Sequence, residues 1–184
     1  MKSANDFSLG SVVYAAQRAT DIVAILRNQD KLGDSLVIAK LNQTLERYGE
    51  HSKVVPGDLV SLTTVAEELY AVYAADTIDQ AARHINKMLA KYASLPRLSS
   101  HNDTAWHLHV DSNDDAPWAE WFAASSALAL ATLLAEKQQK PGGICAAANC
   151  TNPFIDSGKG GERNYCSQKC ATRARVAAYR KRAK

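Results

Sequence analysis

Along the first hundred residues the apolar positions recur three and four apart instead of alternating, the period of helices buried along one side. Val12, Val13, Ala16, Ala19, Ile22, Val23 and Leu26 form one stripe. A second helix is predicted from about Ser35 to Tyr48, with Leu36, Ile38, Leu41 and Leu45 inward and Gly49 weakening its end. Pro56-Gly57-Asp58 marks a turn. Leu59, Leu62, Val65, Ala66, Leu69, Val72 and Tyr73 then outline a third helix. Thr77 and Gln80 form a capping box for a fourth, lined by Ile78, Ala81, Ala82, Ile85, Met88, Leu89 and Tyr92 and stopped by Pro96.

Between Pro96 and Pro117 the period changes. Trp106, Leu108 and Val110 alternate with His107, His109 and Asp111, which predicts a half-buried strand. A short extended segment near Arg97 to Ser99 is its expected partner across the turn-like Ser100-His101-Asn102-Asp103. Such a lone hairpin needs helices packed on it to persist. After Asp114-Asp115-Ala116-Pro117, which suits a helix start, Trp118, Trp121, Phe122, Leu128, Leu130, Leu133 and Leu134 predict a long buried helix. Glu136 to Lys140 is its polar exit, and Pro141-Gly142-Gly143 reads as a hinge. The expected architecture is mainly α: a multihelical domain over 1–140 with one short β-hairpin, followed over 141–184 by a small module with a basic C-terminal helix.

Composition supports a folded chain, since 46% hydrophobic residues over 184 positions can supply a core. The N-terminus lacks the apolar stretch of a secretory signal. The longest apolar run, Trp121 to Ala135, is short for a membrane span and contains Ser125, Ser126 and Thr132. A cytoplasmic protein with no membrane partner is expected. The overall charge of +3 conceals a division: from Pro141 onward nine basic residues face two acidic ones, whereas the first 140 residues carry 13 basic and 17 acidic groups. A basic tail on an acidic body implies separate tasks.

All four cysteines fall in that tail, as C-x4-C-x15-C-x3-C at Cys145, Cys150, Cys166 and Cys170. Two short knuckles separated by a loop can bring four sulfurs around one zinc ion, and four thiolates leave no open position for hydrolytic chemistry, so the expected zinc is structural. A segment this short cannot fold on apolar burial alone, and metal binding would supply the missing free energy. Two disulfides conflict with a reducing compartment, and unpaired thiols would not need to cluster.

From Cys145 to Arg182 the chain resembles the CGNR zinc finger of bacterial stress-induced transcription regulators. The likeness rests on Phe154-Ile155-Asp156 after the first knuckle, Arg163, Tyr165 and Cys166 at the second, and the helix Val176-Ala177-Ala178-Tyr179-Arg180. Through the Trp106 strand and the alanine- and leucine-rich helix, the preceding 140 residues resemble the ABATE domain that accompanies this finger. The tetrad that names the finger reads Cys170-Ala171-Thr172-Arg173, and Gly158, Gly160 and Asn164 stand where relatives often carry Ser, Asn and a second Arg. The resemblance therefore carries over the metal ligands and Arg173, but not contacts made by the replaced side chains.

The resemblance implies a DNA-binding transcription regulator with the first domain as sensor or partner-binding module, taking a small-molecule effector or a protein. Duplex DNA is the expected partner of Arg163, Arg173, Arg175, Arg180 and Arg182, because phosphate neutralisation supplies most nucleic-acid affinity. On a helix Arg173, Arg180 and Lys184 fall near one face, and Arg175 and Arg182 near another. A solvated helix end, or an adaptor docking on an acidic protein, fits the same charges. Catalysis is not expected: no Ser-His-Asp arrangement, phosphate-cradling loop or carboxylate pair can be assembled. His107 and His109 read as a polar strand face, with an enzyme or metal role as the remaining alternative.

Overall fold

The computed structural model describes residues 9–50, 52–100, 106–156 and 163–182. The order is α1 (Leu9–Leu26), α2 (Gln29–Leu32), α3 (Asp34–Arg47), a 3-10 turn at Pro56–Asp58, α4 (Leu59–Tyr73), α5 (Ile78–Tyr92), β1 (Arg97–Ser99), β2 (His107–His109), α6 (Trp118–Lys137), β3 (Gly142–Ile144), β4 (Pro153–Ile155) and α7 (Gln168–Arg182). Helices dominate, as the apolar spacing predicts.

All seven apolar positions read for α4 are buried, and they meet α1, α5 and α6 in one core. In α3 the stripe is shifted, with Val37, Leu41, Thr44 and Leu45 inward and Leu36 exposed. Adjacent Leu36, Val37 and Ile38 are equally apolar, so periodicity alone could not choose among them. The Thr77 hydroxyl accepts from the Gln80 backbone N–H and the Gln80 side chain accepts from the Thr77 backbone N–H, so the capping box forms as read. Helix α6 runs through the centre, burying Phe122, Ala127, Leu130 and Leu133. It is long and apolar enough to cross a membrane by composition, but here it packs against α1, α4 and α5. Gln138 ends it in the left-handed region at φ 51.

One charged side chain sits inside this bundle. Arg18 ion-pairs with Glu50 at 2.7 Å, donates to the Ser125 hydroxyl at 3.0 Å and lies 4.1 Å from the centre of the Trp121 ring. Burial pulls its pKa down, and the Glu50 carboxylate opposes that shift. Trp118 and Trp121 therefore belong to the packing of the bundle: their rings meet edge to face at 5.1 Å.

Strands β1 and β2 pair antiparallel, Arg97 opposite His109, Leu98 opposite Leu108 and Ser99 opposite His107. Most of the expected turn between them lies outside the described residues. The apolar-in expectation holds in part: Val110 is buried and Leu108 partly covered, but Trp106 is 70% exposed and Leu98 68%, while Asp111 is buried and both histidines are partly covered. An ion-paired network lies on the histidine side, as described below.

In the Pro141-Gly142-Gly143 segment, read as a hinge, both glycines belong to strand β3. It pairs with β4, placing Gly142 opposite Ile155 and Ile144 opposite Pro153. A β-carbon at Gly142 would stand 2.0 Å from the Phe154 carbonyl oxygen, and one at Gly143 would stand 3.0 Å from the Phe154 ring. Glycine therefore serves close strand approach here, which explains why a linker-like composition forms a strand. The hairpin packs on α1 and α4, and Ile155, 2% exposed, belongs to the same core as the helices.

A chain ending at residue 140 is accordingly expected to unfold cooperatively, at a lower midpoint than the full chain because the α1–α4 surface beneath Ile155 is uncovered. Ile155→Ala in the full chain should cost the main transition about 2–5 kcal/mol in denaturant unfolding. An unchanged main transition in both proteins would show that the hairpin does not stabilise the bundle.

Candidate metal centre

Apart from the β3–β4 hairpin on the bundle, the described residues of the C-terminal module have almost no apolar interior: their buried cluster is Cys145, Ala147 and Cys170, with Cys150, Tyr165 and Cys166 packed against it. What gathers this segment is the convergence of sulfur. The four Sγ atoms lie within 4.8 Å of one another, with Cys150 to Cys166 at 3.8 Å and Cys166 to Cys170 at 3.7 Å. A zinc ion with sulfurs about 2.3 Å away sets tetrahedral S–S separations of about 3.8 Å, whereas a disulfide needs about 2.05 Å. The donor set and spacing fit one structural zinc ion held by Cys145, Cys150, Cys166 and Cys170, and all four cysteines are free of disulfides.

Local sequence explains each knuckle. At the first, Asn149 adopts φ 61, a conformation asparagine tolerates well, and the Cys150 N–H donates to the Ala147 carbonyl at 3.1 Å. The Cys145 N–H donates to the Asn152 carbonyl at 3.0 Å, leading the chain from β3 through the turn to β4. At the second, Ser167 caps α7: its hydroxyl accepts from the Cys170 N–H at 3.2 Å. Cys166 and Cys170, four apart on either side of that cap, bring their sulfurs together.

The two knuckles are tied by Arg163. Its Nε donates to the Tyr165 carbonyl at 2.9 Å, Nη2 to the Cys166 carbonyl at 2.7 Å and Nη1 to the Ile155 carbonyl at 3.3 Å. The Ala146 N–H adds a bond to the Asn164 carbonyl at 2.9 Å. Arg163, expected at the DNA surface, is exposed and donates to the backbone around the sulfurs. Its approach to Cys166 in sequence could be read, but not its acceptors, because they are carbonyls and every residue has one. Arg173 donates to the Cys170 sulfur at 3.3 Å.

Ionisation of the thiols follows from these surroundings. The Ser167 hydroxyl holds the Cys170 thiol down, at about 7, while desolvation pushes Cys150 up and Cys166 up to about 12. Four thiols this close cannot all ionise without a cation among them, since each added negative charge opposes the next. Zinc reverses that balance and makes all four thiolates compatible.

Beyond Cys170 no residue of α7 through Lys181 is buried; Val176 is 43% and Tyr179 73% exposed. Arg173, Arg175 and Arg180 are all exposed, and the Arg182 side chain lies outside the described residues. At about 100° per residue, Arg175 stands across the helix from Arg173 and Arg180. The charge runs around the helix and is not gathered on one face.

Residues 143–183 match the family model of the CGNR zinc finger. No curated protein matches the chain.

The purified full chain is expected to retain one tightly held zinc ion through dialysis, and Cys170→Ser to lose it. Arg163→Ala keeps all four ligands but unties the knuckles, and should weaken zinc retention against a competing chelator by about 10–100-fold. Wild-type retention in Arg163→Ala would mean that the sulfurs are held without it.

Proposed function

We propose that this protein is a DNA-binding transcription regulator in which the zinc-held knuckles present α7 to duplex DNA. The observation that carries the reading is an exposed helix with six basic and no acidic residues, fixed to the protein through the cysteine cluster at one end. A helix that covers no core is not retained for packing. Charge on opposite sides suits a groove, where phosphates line both walls, better than a flat partner. Arg173, Arg175, Arg180 and Arg182 are the proposed phosphate contacts, with Arg163 acting through the backbone it holds.

In this reading the protein is not an enzyme and works in the cytoplasm of a bacterial cell in a stress response, without a membrane partner. Residues 1–140 form an ABATE-like module that receives a small-molecule effector or protein partner. The hairpin β3–β4 joins that module to the finger through shared packing, so a change in the bundle has a physical route to the knuckles. A zinc-containing adaptor that docks on an acidic protein is the second reading, favoured by exposed Val176 and Tyr179 among the arginines.

Replacing Arg173, Arg175, Arg180 and Arg182 together by glutamine preserves helix propensity and removes charge. The quadruple variant should keep its zinc and lose most duplex affinity, and each lost phosphate contact should lower the slope of log affinity against log salt by about 0.9. Unchanged affinity and slope in a zinc-loaded variant would remove α7 from the DNA surface and favour the adaptor.

A further inference from the structure

The β1–β2 hairpin gathers a second set of metal-binding side chains, remote in sequence from the cysteines and of different chemistry. His107 and His109 are alternate residues of β2, so their rings leave the strand on the same side. The ring centres are 4.7 Å apart, and the two Nε2 atoms face each other at 2.7 Å. Behind them, His109 Nδ1 lies 2.9 Å from Asp111 Oδ1, and Arg97 Nη2 donates to the same oxygen at 2.8 Å. Arg97 Nη1 reaches Asp114 at 2.6 Å, which also accepts from the Ser99 hydroxyl at 3.1 Å.

If both rings are neutral, the contacts among the described residues set where their hydrogens lie. An ionised carboxylate only accepts and a guanidinium only donates. Arg97 Nη2 also approaches His109 Nδ1, at 3.4 Å, but the carboxylate oxygen is the nearer acceptor for both groups. His109 Nδ1 therefore carries a hydrogen and gives it to Asp111. That fixes the tautomer of the neutral ring and leaves a lone pair on Nε2, aimed at His107 Nε2. The contact at 2.7 Å then requires the hydrogen of neutral His107 to sit on its Nε2, between the two rings.

We propose that His107 and His109 chelate a divalent transition metal ion through their two Nε2 atoms, at a second site distinct from the cysteine centre. The ion takes the place of the shared hydrogen. His107 moves its ring hydrogen from Nε2 to Nδ1, so no net proton is lost and both Nε2 lone pairs become ligands. With zinc–nitrogen distances of about 2.0–2.1 Å, a tetrahedral site needs the nitrogens about 3.3 Å apart. The rings must separate by about 0.6 Å from the 2.7 Å observed.

Asp111, 4% exposed, is the positioning residue: a buried carboxylate on the far nitrogen orients an imidazole ligand and raises its basicity. Among the described residues, the charged groups tied to the pair are Arg97, Asp111 and Asp114, whose formal charges sum to one negative charge. Imidazole donors select zinc, nickel or copper over magnesium or calcium. Two imidazoles leave further positions on the ion for other donors, whereas four thiolates fill the cysteine site.

The test is a titration of the full chain, already holding its one zinc, with zinc chloride in a non-chelating buffer. Binding heat is followed together with the imidazole nitrogen resonances. A second equivalent should bind while both Nε2 resonances shift, and His109 should keep its hydrogen on Nδ1. His107→Ala and His109→Ala should each weaken the second event by about tenfold or more; Asp111→Asn should weaken it by about 10–100-fold and release the His109 tautomer. If a variant fails to fold, the wild-type resonances decide alone. Both Nε2 resonances unmoved at saturating zinc, or a second equivalent bound equally well by folded His107→Ala and His109→Ala, would overturn the site.

Discussion

Four sulfurs drawn within 4.8 Å of one another are a source of repulsion until a cation joins them. With so little apolar surface in the module, the ion replaces the core that a segment of this length cannot build. The remaining features of the module follow from holding those sulfurs. Ser167 caps α7 beside Cys170, Arg163 ties three carbonyls across the knuckles, and Gly142 and Gly143 let β3 close on β4. Helix α7 gains a fixed position from its first turn alone.

That dependence is asymmetric. The hairpin of the finger reaches into the helical bundle through Ile155, whereas the sulfur cluster forms a separate group of packed residues. Loss of metal is therefore expected to release the second knuckle and α7 while leaving the bundle and much of β3–β4 in place. The bundle has its own polar anchor in Arg18, whose two terminal nitrogens bond Glu50 and Ser125 and whose guanidinium lies on the Trp121 face, so its integrity does not run through zinc. Between the two lies the hairpin, whose packing is the physical link available to any signal from residues 1–140.

Much of this was legible because it rests on local rules. The four-residue and three-residue spacings of the cysteines, the Thr77–Gln80 capping box and the α4 stripe each declare themselves in sequence, and each forms as read. Misreadings arose where a distant partner decides. Gly142 and Gly143 look like a hinge until Phe154 is placed against them. Trp106 should be buried on hydrophobicity alone but is exposed, while Arg97 and Asp111 hold His109 in a partly covered network across the strand. Arg163 carries the same charge as the arginines of α7, and its bonds to the Ile155, Tyr165 and Cys166 carbonyls add a structural task that sequence does not show. Sequence spacing likewise places His107 and His109 on one side of a strand, but the tautomer that makes them a chelating pair requires Asp111 in three dimensions.

The central claim is that zinc serves function by holding α7 where it meets duplex DNA. It is tested most directly on one preparation of the unaltered full chain, measuring duplex affinity across a salt series before chelation, after chelation and after zinc is returned. The account predicts steeply salt-dependent binding that disappears with the metal and returns with it, while the thermal transition of the helical bundle persists throughout. Duplex binding of equal affinity and salt slope in the zinc-free protein would contradict it.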